Sequence, residues 1–278
     1  ASSIRCRSPM VVGPFRAPTL ISALSSFLPQ PESSVSTASA RMKILRFNAS
    51  SSLHNVVSKR SCHCLENFIV FEGIDGAGTT TQLNILKKKC GSNFLFTAEP
   101  SRSPVGKFLR SMLGGNVPVT NETAAYLFAA DRNEHLNADI SFSEDGILCG
   151  GIKKACGQGK CVVCDRYIFS SLAYQSIDCS PSVPRMLNSL FPLPELLFYF
   201  DIDAKTALSR VDSRGSREIY EKLDFLEKTV IEYRKAIDEY RGEKGSGMKI
   251  VDIDATLPVE KISEIIWTNI ADLPIMKA

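Results

Sequence analysis

Short apolar runs alternate with longer stretches of helical period over most of this chain. Phe68–Phe71, Phe94–Thr97, Cys161–Cys164, Leu196–Phe200 and Lys249–Ile253 are brief and largely β-branched or aromatic, as strands covered on both faces must be. Apolar residues recur with amphipathic-helix spacing over Thr80–Cys90, Val105–Leu113, Asn121–Asn137, Phe169–Ser176, Ala204–Arg214, Tyr220–Arg241 and Val259–Ile270. Strands separated by helices cannot pair through tight turns, so the pattern predicts an α/β fold. Its sheet would be five-stranded and parallel, with right-handed crossovers and helices on both faces. Such sheets bind ligands beyond the carboxyl ends of their strands, and Asp75, Glu99, Asp165 and Asp201 all follow strand ends. Asp139–Gly151 has no strong period, and its Gly and Ser content predicts a surface loop or insertion. No internal repeat is visible.

The first strand breaks at Gly73 into a turn containing Gly76 and Gly78, and a helix follows at once. Strand, glycine loop and helix N-terminus in that order build a phosphate cradle. Backbone N–H groups converge on the anion, the helix dipole adds partial positive charge, and glycine permits close approach. Gly73, Gly76, Ala77, Gly78, Thr79, Thr80 and Thr81 are the candidate phosphate-binding residues, and Thr80 stands where such a loop places its magnesium-binding hydroxyl. The loop departs from the motif at Thr79, where lysine is expected. Losing one preorganised donor to developing charge costs about 10² to 10³ in rate, which is severe without being prohibitive.

Charge is unevenly spread. Residues 1–60 carry eight Lys/Arg and one acidic residue, Glu32, for a net +7; the remainder carries 25 basic and 29 acidic residues, for a net −4. The body of the chain is therefore not a nucleic-acid binder by bulk charge, and no apolar run approaches the length of a membrane span. Fourteen serines, five prolines and no aspartate in residues 1–60 leave too little apolar surface to offset ordering entropy, so residues 1–65 are predicted to be a disordered extension preceding a domain over 66–278. Arg- and Ser-rich, acid-poor composition fits an organellar transit peptide; sequence upstream of a start at Met42 fits it as well. Nine cysteines without framework spacing predict a reducing, intracellular setting: the cytoplasm, or an organelle if the extension is a transit peptide. Cys161 and Cys164 lie three apart on a strand and face opposite ways, and Cys62, His63 and Cys64 lack a second pair, so neither group reads as a metal site.

Three further clusters complete the pattern: Glu99-Pro100 followed by Gly106 and Arg110; Phe128-Ala-Ala-Asp131-Arg132; and Cys164-Asp165-Arg166-Tyr167 followed by Ser170, Ser171, Tyr174 and Gln175. With Phe71-Glu72-Gly73-Ile74-Asp75-Gly76-Ala77-Gly78 they closely resemble the thymidylate kinases, over residues 67–269. The resemblance implies a P-loop nucleoside monophosphate kinase fold, with ATP as phosphoryl donor, dTMP as acceptor, Mg2+ as cofactor, and a homodimer. It implies that Arg110 and Arg166 hold the acceptor phosphate, that Arg132 contacts the thymine with Phe128 stacked on it, and that Asp75 faces the sugar 3′-hydroxyl. Tyr174 and Gln175 would close the nucleoside pocket, while Glu99 and Asp165, with Thr80, would organise magnesium. Arg210, Arg214 and Arg217, spaced by four and three, match a mobile lid near residues 210–221 that brings cations to the transferring group; Arg214, Arg217 and Lys107 are the candidates to replace the missing lysine. Taken singly, each residue has a plainer reading as a solvated arginine, a helix cap or a core aromatic. A catalytically degenerate nucleotide-binding protein and a kinase for another nucleoside monophosphate are the alternative functions.

Overall fold

The computed structural model describes residues 64–212, 223–241 and 247–277. The extension before Cys64, including Met42, Cys62 and His63, and Arg214 and Arg217, expected in a lid, lie outside the described residues.

The predicted five strands form one parallel sheet: β1 (Cys64–Gly73), β2 (Phe94–Ala98), β5 (Cys161–Asp165), β6 (Leu193–Asp201) and β7 (Lys249–Asp254), in the order β2-β5-β1-β6-β7. Phe68, Ile69, Val70 and Phe71 are consecutive and all fully buried; since alternate side chains point to opposite faces, both faces of β1 are covered. Val70 is level with Cys164 on one side and Leu197 on the other, which places β1 at the centre. Phe71 packs edge-on against Phe198, with ring centroids 5.2 Å apart, and burial of such a ring contributes about 1.5–3 kcal/mol. Near the start of β1 the register shifts between Leu65 and Ile69 at Asn67, whose φ is 63° and whose N–H donates to Glu195 at 2.7 Å.

The expected helices appear as α1 (Thr79–Lys89), α2 (Pro104–Leu113), α3 (Asn121–Asn137), α5 (Ile168–Asp178), α7 (Ala204–Asp212), α8 (Leu223–Arg241) and α9 (Val259–Ala271). Asp139–Gly151, expected to be irregular, carries an antiparallel hairpin, β3 (Ser141–Phe142) with β4 (Leu148–Gly150). Buried Leu148 anchors the hairpin, and its carbonyl accepts the Thr97 hydroxyl of β2 at 2.6 Å. Three short helices are additional: α4 (Ile152–Gly157), α6 (Ser182–Asn188) and α10 (Pro274–Lys277). Each is seven residues or fewer, too short to display two turns of helical period. Among the described residues, no helix is long and apolar enough to cross a membrane.

Candidate active site

At the carboxyl ends of β1, β2 and β5 lies a cavity of about 410 Å³. It brings together Asp75, Gly76, Gly78, Thr79, Thr80, Thr81, Glu99, Arg110, Phe128, Arg132, Asp165, Arg166, Tyr174 and Gln175, expected from five separate segments. Ala77 instead faces a second cavity on the far side of the loop, also about 410 Å³, with Gln82, Arg210, Ala255, Leu257, Val259 and Ile262. Gly73 lies beneath the loop, where an added Cβ would sit 3.0 Å from the Phe200 carbonyl. Gly76, Gly78 and Thr81 line both cavities, so the loop is the partition between them.

The loop has the conformation its glycines allow. Gly76 has φ 88°, and a Cβ there would meet the Ala207 carbonyl at 2.3 Å; Gly78 caps α1 at φ 97° with open space around it. No side chain caps α1 and no acidic residue occupies its first turn, so its N-terminal amides and dipole are presented to the cavity. Among the described residues, no lysine lines either cavity; the basic residues there are Arg110, Arg132, Arg166 and Arg210. Lys107 is exposed on α2 and lines neither. Arg210 Nη1 donates to Ala255 O at 3.1 Å and to Gly76 O at 3.4 Å, tying α7 to the loop and to the end of β7.

Thr80 donates its hydroxyl to Asp165 Oδ2 at 3.2 Å. Burial pushes the Asp165 carboxyl above its ordinary value, against the opposing pull of Arg166, Thr79 and Thr80. Its Oδ1 is buried without a partner among the described residues. A buried oxygen with spare lone pairs beside a threonine hydroxyl suits a hard cation such as Mg2+.

Arg166 follows β5 with φ 71°, a left-handed conformation that disfavours side chains with a Cβ, and its N–H donates to Phe71 O at 2.8 Å. Its guanidinium pairs with Asp75, reaches the Ser170 and Tyr233 hydroxyls at 3.4 Å each, and lies over the Tyr174 ring at 5.4 Å. Both flanks of the turn lead to Glu72, which is fully buried. The N–H groups of Tyr167 (2.7 Å) and Ser170 (3.2 Å) donate to Glu72 Oε1, and the Ser170 and Tyr233 hydroxyls donate to Oε2 at 2.7 and 3.0 Å. Burial pushes the Glu72 carboxyl up, while Ser170, Arg166 and Tyr233 pull it down.

Two of the expected site residues meet each other in the cavity wall. The resemblance gives Arg132 to the thymine and Glu99 to magnesium, yet the two form a buried ion pair at 2.7 Å with side-chain exposures of 1% and 4%. Every nitrogen of Arg132 has a protein acceptor: Nε donates to Glu99, Nη1 to Ser171 (3.1 Å) and Asn188, and Nη2 to the Tyr167 carbonyl (2.9 Å). Its donor edge therefore holds the wall of the cavity together. Glu99 Oε2 belongs to this pair, and Oε1 lies 3.2 Å from His135 Nδ1, so Glu99 helps to organise the wall of the cavity. The cause is depth: at this burial two charges are tolerated only if each satisfies the other. Asp201, the remaining strand-end aspartate, pairs with Arg234 of α8 at 3.0 Å.

Arg110 reaches the Pro100 carbonyl from the last turn of α2. The start of that helix is fixed from α3: Asp131 accepts Ser101 N–H and Oγ at 2.6 Å each and Ser103 Oγ at 3.0 Å, and Ser103 Oγ caps α2 by accepting Gly106 N–H at 3.1 Å. Glu72 and Asp131 stand in the motifs without an assigned role, and His135, Asn188 and Tyr233 lie outside them. A signal existed for two: Glu72 is a carboxylate inside an apolar run, and His135 stands three residues after Arg132 on the same helix.

Comparison with known proteins agrees with this geometry. The model of the family described as Thymidylate kinase matches residues 71–266. A protein of Treponema pallidum named as a thymidylate kinase is 38% identical over 211 residues, covering 75% of this chain and 96% of that protein. One from Methanocaldococcus jannaschii, similarly named, is 41% identical over 174 residues, covering 62% of this chain and 82% of its own length. A third, from Methanococcus aeolicus, is 34% identical over 203 residues, covering 73% and 95%.

Proposed function

Because this chain belongs to the thymidylate kinase family, we propose that it transfers the terminal phosphoryl group of ATP to an oxygen of the dTMP 5′-phosphate, yielding ADP and dTDP. The observation that carries the proposal is the shared partition: one glycine loop separates two cavities of similar size, so two nucleotides can meet with their phosphates end to end.

ATP enters from the second cavity. Leu257, Val259 and Ile262 give that cavity the apolar surface a purine requires, and Arg210 lies beside it. The amides from Gly78 to Thr81 hold the donor phosphates at the N-terminus of α1. Thr80 and Asp165 would hold Mg2+, which would supply positive charge to the donor phosphates. dTMP occupies the first cavity, with Arg166 and Arg110 on its phosphate, where forked guanidinium groups suit bidentate contact. Phe128 stacks on the base and Gln175, whose Oε1 is buried without a partner among the described residues, accepts a donor from it. Tyr174 backs the Arg166 guanidinium, and Asp75 divides its carboxylate between Arg166 and the sugar hydroxyl. Arg214 or Arg217 of the lid takes the part of the missing lysine at the transferring group.

A coupled assay with ATP, Mg2+ and dTMP tests the proposal, with dUMP, GMP, UMP and CMP as competing acceptors. dTDP formation inhibited weakly by the other monophosphates is expected. Binding of ATP and dTMP with no product would point to the degenerate class, and preference for another acceptor would replace dTMP. We further propose that the active form is a homodimer inside the cell; sedimentation velocity at assay concentrations that gives a single species of about 30.5 kDa would replace the dimer with a monomer.

A further inference from the structure

Glu72 touches neither cavity, yet it is the most heavily hydrogen-bonded carboxylate beside the site. We infer that Glu72 is a positioning residue for the acceptor phosphate: it locks the Arg166 turn onto the strand that carries the phosphate loop. The inference rests on the reading of Arg166 as an acceptor-phosphate ligand.

The geometry gives Glu72 two simultaneous tasks. One oxygen takes the backbone N–H groups of Tyr167 and Ser170, on either side of the first turn of α5, whose N-cap residue Tyr167 supplies no side-chain cap. This remote cap secures the residue immediately after Arg166 and so fixes the left-handed backbone at φ 71° that aims the arginine. The other oxygen accepts the hydroxyls of Ser170 and Tyr233, and both hydroxyls in turn accept from Arg166 Nη1 at 3.4 Å. The single protons of these hydroxyls are taken up by Glu72, by each other at 2.8 Å and by the Gly73 carbonyl, which leaves lone pairs to face the guanidinium. Arg166 is thus oriented through its backbone and through its side-chain end by the same buried carboxylate. Tyr233 adds a contact at 3.3 Å to the carbonyl of Gly73, the first residue of the loop. Donor loop and acceptor arginine are thereby referenced to one point, as in-line transfer between two nucleotides requires.

A cap that only stabilised α5 would affect the folded fraction and nothing specific to one substrate. The positioning role is tested by steady-state kinetics on the full chain with Glu72→Ala, Glu72→Gln and Tyr233→Phe, together with Arg166→Ala and the Glu72→Ala/Arg166→Ala double variant. The wild-type rate measured alongside reports on the kinase reading itself, and ATP affinity is read separately by calorimetry. Glu72→Ala is expected to lower kcat/KM for dTMP by about thirtyfold or more, as a small misplacement of a positioning group does, while ATP affinity changes by less than about threefold. Glu72→Gln keeps the oxygen that accepts the two backbone N–H groups but turns the other end into a donor that competes with Arg166 for the hydroxyl lone pairs, so it is expected to recover only part of the loss, to an activity between Glu72→Ala and wild type. In the Arg166→Ala background, Glu72→Ala is expected to add no more than about twofold, because a residue acting through Arg166 has nothing left to act on. If Glu72→Ala fails to fold, Tyr233→Phe, which deletes a single hydroxyl, is expected to raise KM for dTMP about three- to tenfold with ATP affinity unchanged. Equal losses for both substrates, a kcat that follows the folded fraction at constant KM for dTMP, or full additivity with Arg166→Ala would overturn the inference.

Discussion

Replacing Glu99 with leucine leaves the Arg132 guanidinium buried without its counter-charge, and the cost follows from the geometry. Arg132 is 1% exposed and cannot reach water, but it retains the Ser171 and Asn188 side chains and the Tyr167 carbonyl as acceptors. Breaking a buried pair from one side costs about 3–5 kcal/mol, and the retained acceptors favour the lower half of that range. His135 Nδ1 also loses the oxygen 3.2 Å away, so about 4 kcal/mol is expected in total. Against a domain stability of about 5–15 kcal/mol this is a large fraction. Urea denaturation followed by circular dichroism measures it: with a slope of about 2–3 kcal/mol/M, the midpoint should fall by about 1.5–2 M. The Glu99→Leu/Arg132→Leu pair removes both charges, and because a buried ion pair is worth little relative to apolar replacements, the double variant should regain most of the loss. A single variant that loses less than about 1 kcal/mol, or a double variant less stable than the single, would refute the view of this pair as a mutually dependent unit.

Gly76→Ala places a Cβ 2.3 Å from the Ala207 carbonyl at a φ of 88°, so ATP affinity by calorimetry should fall at least about tenfold; an unchanged affinity would show that the loop tolerates the shift. Thr79→Lys puts a second cation beside Asp165 and the donor phosphates, and because an arginine is proposed to supply that charge already, kcat should change by less than about threefold; a gain of about 10- to 100-fold would mean that no other cation does so. Burial pushes the Cys90 thiol up to about 11, and a raised thiol pKa keeps the unreactive protonated form at neutral pH. Alkylation of Cys90, followed by peptide mass mapping, should therefore be slow at pH 8, where about 0.1% is thiolate, and accelerate toward pH 11; rapid reaction at pH 8 would contradict this.

What the chain disclosed before folding, and what it withheld, divide along physical lines. The strands around Phe68–Phe71 and Leu196–Phe200 announce themselves because a sheet covered on both faces needs unbroken apolar runs. The loop from Gly73 to Thr80 is equally plain, since glycine spacing records backbone geometry directly. The partners of charged residues are another matter. Glu99 and Arg132 lie 33 positions apart, and no local pattern distinguishes a carboxylate that faces a ligand from one that faces a buried guanidinium. Glu72 stands beside the loop in sequence, but its work is done with Tyr167, Ser170 and Tyr233, the last 161 residues away. The wall of the second cavity is similar: Ala255, Leu257 and Ile262 read as ordinary apolar residues until β7 and α9 bring them against the loop. The hairpin at Ser141–Gly150 is missed because two- and three-residue strands carry no period, and what holds it comes from distant residues, Thr97 on Leu148 and Arg102 on Asp145.

The decisive experiment is steady-state product analysis with the 278-residue chain, ATP, Mg2+ and dTMP, following ADP and dTDP together. One dTDP for each ADP is expected, with formation slowed about 10² to 10³-fold in Arg166→Ala while ATP affinity is retained. Absence of dTDP under conditions where both nucleotides bind would contradict the assignment of the two cavities to a phosphoryl donor and its acceptor.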